Sequence, residues 1–230
     1  MKIAISGLDL EEGKIKYEDP VFSGLCEKFK PAKQAPYYFE FLIEDYQAAN
    51  AIAITKDNIL DLLILDMEKL ENRMERAEDD AEKAVLKRCL EILEKEQPVC
   101  DLEISGEERS ILTTISPLSF KPVLVLEDSG IDANTVCKQI LDKAGMMFFY
   151  TAGKQEVHAW MVEKGTDAVT CAGRIHSDLA RGFIKAELIS FDDLMAAHSF
   201  ADASSKGLTQ LVDKDFPIPE NTILEIRFNV

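Results

Sequence analysis

A loop near the start of the chain, Gly7-Leu-Asp-Leu-Glu-Glu-Gly13-Lys14-Ile15, carries the residue types of phosphate chemistry. A phosphate-binding loop of the form GxxxxGK[ST] turns backbone N–H groups toward phosphate oxygens, while its Lys contacts the outer phosphates and its hydroxyl holds Mg²⁺. Here five residues separate the glycines instead of four, and Ile15 stands where the hydroxyl is needed. Asp9, Glu11 and Glu12 would sit beside a polyanion, and like charges repel. Gly7, Gly13 and Lys14 are therefore candidate phosphate contacts in a loop of the wrong charge. A plain surface-turn lysine accounts better for Lys14.

The other chemistry-bearing residues form no catalytic set. His158, His176 and His198 fall in no HExxH or paired-ligand spacing. The five cysteines form no CxxC pair, so neither a structural zinc site nor a disulfide framework is indicated. Arg174, His176, Arg181 and Lys185 lie close together in sequence and are candidates for meeting an anionic partner such as RNA. The competing account is that Arg174 and Arg181 favour a helix C-terminus and pair with Asp178 or Glu187 on a solvated surface. His176 would then cap or pack locally. Thr151-Ala-Gly-Lys154 lacks phosphate-loop spacing and reads as a turn between domains. Trp160 falls on a strand and is expected to fill a core.

The elements that must position these residues can be read from apolar periodicity. Lys2–Gly7 is expected to be a short buried strand ending in glycine, with further strands at Tyr37–Ile43, Ala49–Thr55 and Lys121–Leu126. Ala133–Lys143 reads as a helix, and this interleaving of strands and helices points to an α/β unit. Between them, Leu60, Leu63, Met67, Leu70, Met74, Ala77 and Ala81 follow an alternating spacing of three and four. Leu86, Cys89 or Leu90, and Leu93 continue in a second series. The pair predicts an antiparallel helical hairpin bending near Glu78-Asp-Asp, or else one long helix. After residue 150 the pattern changes. Strands are expected at Val157–Val162, Phe183–Ile189, Leu208–Val212 and Thr222–Phe228, and helices at Ala168–Ala180 and Phe191–Ala197, which suits a compact α+β domain.

Composition narrows the function classes. A net charge of −16 argues against nonspecific coating of nucleic acid, and DNA is not an expected partner. Residues 151–230 hold 8 basic and 12 acidic residues, a net of −4, which leaves −12 for residues 1–150. An RNA contact would need a local basic patch, and the C-terminal third opposes one least. No run is long and apolar enough for a membrane helix, and the N-terminus does not suit a signal peptide, so a cytoplasmic location without membrane contact is expected.

Four ordered blocks carry a resemblance to a known family. Phe149-Tyr-Thr-Ala-Gly-Lys-Gln-Glu-Val-His-Ala-Trp160, Ala172-Gly-Arg-Ile-His-Ser-Asp178, Arg181-Gly-Phe-Ile-Lys-Ala-Glu187 and Ile226-Arg-Phe-Asn-Val230 resemble the C-terminal domain of the Obg-like ATPase (YchF) family. Upstream, Glu18–Glu27 with Lys30-Pro31, Leu62–Arg76 and Lys121–Leu124 resemble, in order, the segment after the first helix of that family's nucleotide-binding domain, the start of its inserted helical arm, and the strand before its base-reading motif. The chain is shorter than members of the family, and the missing length falls in the nucleotide-binding domain.

The resemblance implies a TGS domain, a ubiquitin-like β-grasp fold, at 149–230. It implies an α/β remnant of a P-loop NTPase domain at 1–57 and 118–148, and an inserted helical hairpin arm at 58–117. It also implies where nucleotide chemistry should sit, and those positions are altered. The family's DxxG should follow the strand at Tyr37–Ile43, where the chain has Glu44-Asp45-Tyr46-Gln47. The base-reading asparagine should follow Leu126, where the chain has Glu127-Asp128, a change from donor-plus-acceptor to pure acceptor. Asp128 is thus a vestigial candidate only. The expected protein is a non-catalytic binding or adaptor protein without cofactor, linked to ribosomes or another RNA-containing assembly through its TGS domain. The alternatives are a weak ATP- or GTP-binding NTPase using Mg²⁺ at a reshaped site, and a TGS module regulated by a small ligand. Residues 151–230 are expected to fold independently.

Overall fold

A computed structural model describes residues 1–229. In chain order the elements are β1 (Lys2–Ser6), β2 (Gly13–Lys16), α1 (Pro20–Phe29), β3 (Lys33–Ala35), β4 (Tyr38–Ile43), β5 (Ala51–Thr55), α2 (Ile59–Met74), α3 (Asp80–Leu93), α4 (Gly106–Ile115), β6 (Val123–Leu126) and α5 (Ala133–Lys143). There follow β7 (Met146–Ala152), β8 (Glu156–Glu163), α6 (Ala168–Ile175), α7 (Ser177–Arg181), β9 (Phe183–Ser190), α8 (Phe191–Ala196), α9 (Phe200–Ser205), β10 (Gln210–Val212) and β11 (Thr222–Phe228). They divide into two units, one of residues 1–15 and 38–144, the other of residues 16–37 and 145–230.

The first unit is built on a five-stranded sheet in the order β2-β4-β1-β5-β6. β1 pairs in parallel with both β4 and β5, and β5 with β6. β5 is buried along its whole length, as its uninterrupted apolar run requires of a parallel strand covered on both faces. α2 and α3 are separate helices that pack on each other, with the chain turning between Glu75 and Asp79. Asp79 caps α3 by accepting from the Ala81 N–H at 3.1 Å. Leu63, Leu70 and Ala77 of the alternating series are buried, but Leu60 is 46% exposed and Ala81 is also exposed, so the seam is shorter than the spacing predicts. Asp66 on α2 is wholly buried. Its carboxylate accepts from the Leu118 and Ser119 N–H groups at 2.6 and 2.7 Å and so caps a short 3₁₀ turn at 118–120.

The second unit has a six-stranded sheet in the order β10-β9-β11-β7-β8-β3. β7 and β8 form an antiparallel hairpin, β9 pairs antiparallel with β10 and β11, and β11 lies parallel to β7. α6 covers a core of Phe149, Val162, Cys171, Ala186 and Leu224. Asp167 starts α6 by accepting from the Thr170 N–H at 2.8 Å. Trp160 is only partly buried; it stacks on Phe149 and more closely on His158, with ring centroids 3.6 Å apart.

Three expectations are corrected here. Residues 16–37 were expected within the first domain, yet they cluster with the second unit, where α1 packs on β7 and β8 and β3 pairs in parallel with β8. The expected helix Ala168–Ala180 breaks at His176, whose backbone is extended (φ −163°, ψ 140°). Thr151–Lys154 is not a turn between domains: it belongs to the β7–β8 hairpin, closed by the Gly153 N–H donating to the Glu156 carbonyl at 3.0 Å.

Candidate functional site

The loop that follows β1 lies at the carboxyl edge of the parallel sheet, the edge where open α/β sheets place ligands. Gly7 has φ +71°, and a Cβ there would lie 2.1 Å from Thr55 Oγ1, so no other residue fits. Beyond it the Asp9 N–H donates to the Ser129 carbonyl at 2.9 Å, and Ser129 Oγ donates to Asp9 Oδ2 at 3.0 Å. An N–H that a phosphate cradle would present to its ligand is thus tied to the turn after β6. The chain then enters β2, so the loop does not lead into a helix of its own, as a phosphate-binding loop does. Gly13 (φ +134°) opens β2, and Lys14 projects from it into solvent. Because β4 separates β2 from β1, Lys14 is held two strands away from Gly7.

The rest of this edge is acidic. Glu44, in a left-handed conformation (φ +53°), accepts from Ser6 Oγ at 3.0 Å. Asp45 accepts from the Ala48 N–H, and Asp128 from the Gly130 N–H at 2.9 Å, each closing a local turn. Lys56 is the cation here, and it pairs with Glu127 at 3.0 Å. Among the described residues no group of three or more His, Cys, Asp or Glu side chains could hold a metal ion. Gly7 and Asp128 are therefore brought to one edge, where carboxylates outnumber cations, and Lys14 is not.

The C-terminal cations are mostly compensated. Arg181 pairs with Asp178 at 2.9 Å, and Lys185 with Asp213 at 2.5 Å. His176 Nδ1 accepts from the Asp178 N–H at 3.1 Å and caps α7. Arg174 donates to the Met161 carbonyl at 3.4 Å, and among the described residues it alone of the three cations has no carboxylate partner. His176 and Arg181 thus converge on Asp178, as local pairing predicts, and Glu187 is engaged elsewhere. These pairs are largely solvent-exposed and contribute little to stability.

Sequence reasoning passed over Glu187 as a centre in its own right. It is buried and accepts from Ser204 Oγ at 2.6 Å, Thr209 Oγ1 at 2.7 Å and Arg227 Nη2 at 2.5 Å. Burial alone would raise its carboxyl, but these three bonds outweigh that and hold it below the usual carboxylate range. The donors come from α9, the segment before β10, and β11. Only the alternation of β9, Lys185-Ala-Glu187, hinted that Glu187 shares a face with a cation.

The fold and its closing strands can now be compared with known proteins. The family model YchF-GTPase_C, described as "Protein of unknown function (DUF933)", matches residues 146–229. A structure of the Schizosaccharomyces pombe YchF GTPase superposes with a TM-score of 0.81 at 17% identity, covering 99% of this chain and 97% of that one. The fold is accordingly a mixed α/β fold of YchF type. The "Ribosome-binding ATPase YchF" of Bacillus subtilis (strain 168) is 37% identical over 128 residues, covering 56% of this chain and 32% of the relative. Its namesake in Mycoplasma genitalium is 41% identical over 97 residues, 42% of this chain and 26% of that one. The chain is related to the YchF family of Obg-like ATPases, although it spans only about a third or less of the length of these two curated relatives.

Proposed function

We propose that this protein is a non-catalytic member of that lineage: a degenerate P-loop-type α/β unit carrying a helical hairpin arm, joined to a TGS β-grasp unit that docks on ribosomes or another RNA-containing assembly. The observation that carries the non-catalytic part is the placement of Lys14. It sits on β2, with β4 between that strand and β1, which argues against Lys14 and Gly7 closing on one phosphate. The β-grasp reading is supported by the second sheet, in which a hairpin, a helix and two later strands are joined by a last strand lying parallel to the first. The ribosome reading is supported by the printed names of the relatives. Within this reading Arg174, His176, Arg181 and Lys185 form the contact.

Cosedimentation with ribosomes across a salt series tests this function. The wild type binds at low salt and loses affinity as salt rises, as release of counterions from phosphates requires. Changing Arg174, Arg181 and Lys185 together to Glu abolishes binding. Equal binding by the variant moves the interface elsewhere, and absence of wild-type binding at low salt rejects the ribosome reading.

A further inference from the structure

The second unit holds a cavity of about 630 Å³ that the reading above does not use. Its volume falls in the range of small-molecule sites, roughly 300–1,000 Å³. Three cations line it: Lys28 from the last turn of α1, Lys154 from the tip of the β7–β8 hairpin, and Arg227 from β11. Lys28 Nζ is held by two carbonyls, donating to Ala197 at 2.5 Å and Met195 at 3.4 Å. Those acceptors are neutral, so they position the ammonium without cancelling its charge, and one of its three N–H groups remains. Lys154 has no carboxylate partner among the described residues.

The two carboxylates of the cavity, Glu187 and Glu225, offset only part of this. Glu187 is already satisfied by Ser204, Thr209 and Arg227, and the Arg227 guanidinium keeps further N–H groups for a second acceptor. Glu225, directly opposite Glu187 across the β9–β11 ladder, is exposed to solvent. In a chain of net charge −16, two cations without acid partners facing one cavity are a local reversal of sign. The half-buried rings of Phe29 and Phe200 complete the wall. Aromatic faces accept planar rings by stacking without base-specific contacts.

We propose that this cavity binds a small phosphomonoester bearing a planar ring, its phosphate held by Lys28, Lys154 and Arg227 and its ring set against Phe29 or Phe200. The phosphate is recognised by ammonium and guanidinium groups, so binding needs no magnesium. The site lies wholly within the second unit and owes nothing to the Gly7 loop, so it stands apart from the function proposed above.

The test follows amide shifts of the full chain titrated with AMP, with adenosine and with inorganic phosphate, all without Mg²⁺. AMP is expected to shift Gly153, Lys154 and Phe200 with a sub-millimolar Kd, and each half of the molecule alone to bind at least tenfold more weakly. K154Q, at an exposed turn, should weaken AMP at least threefold with the melting temperature unchanged, and K28Q/K154Q should weaken it at least tenfold. Unchanged AMP affinity in both variants, shifts confined to other residues, or no shift with any of the three probes overturns the site. MgATP binding that disappears in K28Q/K154Q belongs to this cavity, whereas MgATP binding that survives there counts against the degenerate Gly7 loop.

Discussion

The Tyr150 hydroxyl donates to Asp19 Oδ2 at 2.7 Å, while Asp19 Oδ1 accepts from the Val21 and Phe22 N–H groups at 2.9 and 3.3 Å. One buried carboxylate thus starts α1 and fastens it to β7, 131 residues further along the chain.

Asp19 and Glu187 should give opposite pH dependences. Burial is the largest influence on Asp19 and raises its carboxyl, against the lowering effect of its three hydrogen bonds. A raised folded value means that its contribution is fully present below the unfolded value and is lost as pH rises through the folded one. Asp19→Asn should therefore gain stability relative to wild type as pH climbs from 4 to 7, measured by urea unfolding. Glu187 is lowered, so its contribution is present at neutral pH and lost as pH falls through the folded value. Glu187→Gln should cost about 1–3 kcal/mol at pH 7, and less as acid is approached. Parallel trends for the two variants would contradict the assigned environments.

The helical seam should discriminate between neighbouring leucines. Leu70 is fully buried between α2 and its surroundings, so Leu70→Asp should cost about 2–4 kcal/mol by thermal or urea melting. Leu60, on the same helix and in the same repeat, is 46% exposed, and Leu60→Asp should stay within about 0.5 kcal/mol of wild type. Equal losses would mean that Leu60 meets a partner surface in solution.

A fragment of residues 145–230 should melt without a cooperative transition, because it lacks α1 and β3 and leaves Tyr150 without Asp19. Adding residues 16–37 as a separate peptide should restore part of the transition, followed by circular dichroism. A sharp melt of the fragment alone would show that the segment decorates a finished core.

Magnesium-dependent ATP or GTP binding should not exceed about millimolar affinity, roughly 4 kcal/mol, in calorimetry. Restoring loop length and hydroxyl by deleting Leu8 and making Ile15→Thr should not rescue it, since Lys14 would remain on β2. A micromolar dissociation constant for the wild type that persists in K28Q/K154Q would overturn the inactive-loop reading.

How far the sequence could be read depended on how local the determining interactions are. Ala133–Lys143 and Thr222–Phe228 match their observed bounds because periodicity and a cap such as Asp132, which accepts from the Thr135 N–H, decide them. The first strand of the hairpin, Met146–Ala152, was missed because its continuous apolar run, Met146-Met-Phe-Phe-Tyr150, follows a helix closely and periodicity alone does not separate such a run from buried helix. The allegiance of residues 16–37 was hidden for another reason: Asp19–Tyr150 and the β3–β8 pairing span more than a hundred residues and leave no local pattern. Glu187 was not legible either, because its donors Ser204, Thr209 and Arg227 lie up to 40 residues away and converge only in the fold.

The order of strands in the second sheet also governs the order of events during synthesis. β11 lies between β9 and β7, yet it is made after both. Until it emerges, β7–β8 with β3 and β9 with β10 are separate ribbons, and β7 and β9 each present an unpaired edge. Such edges are templates for pairing with other chains. A chain truncated between residues 213 and 221 therefore has two adhesive surfaces where the finished protein has a shared inner strand. Insertion of Thr222–Phe228 removes both at once.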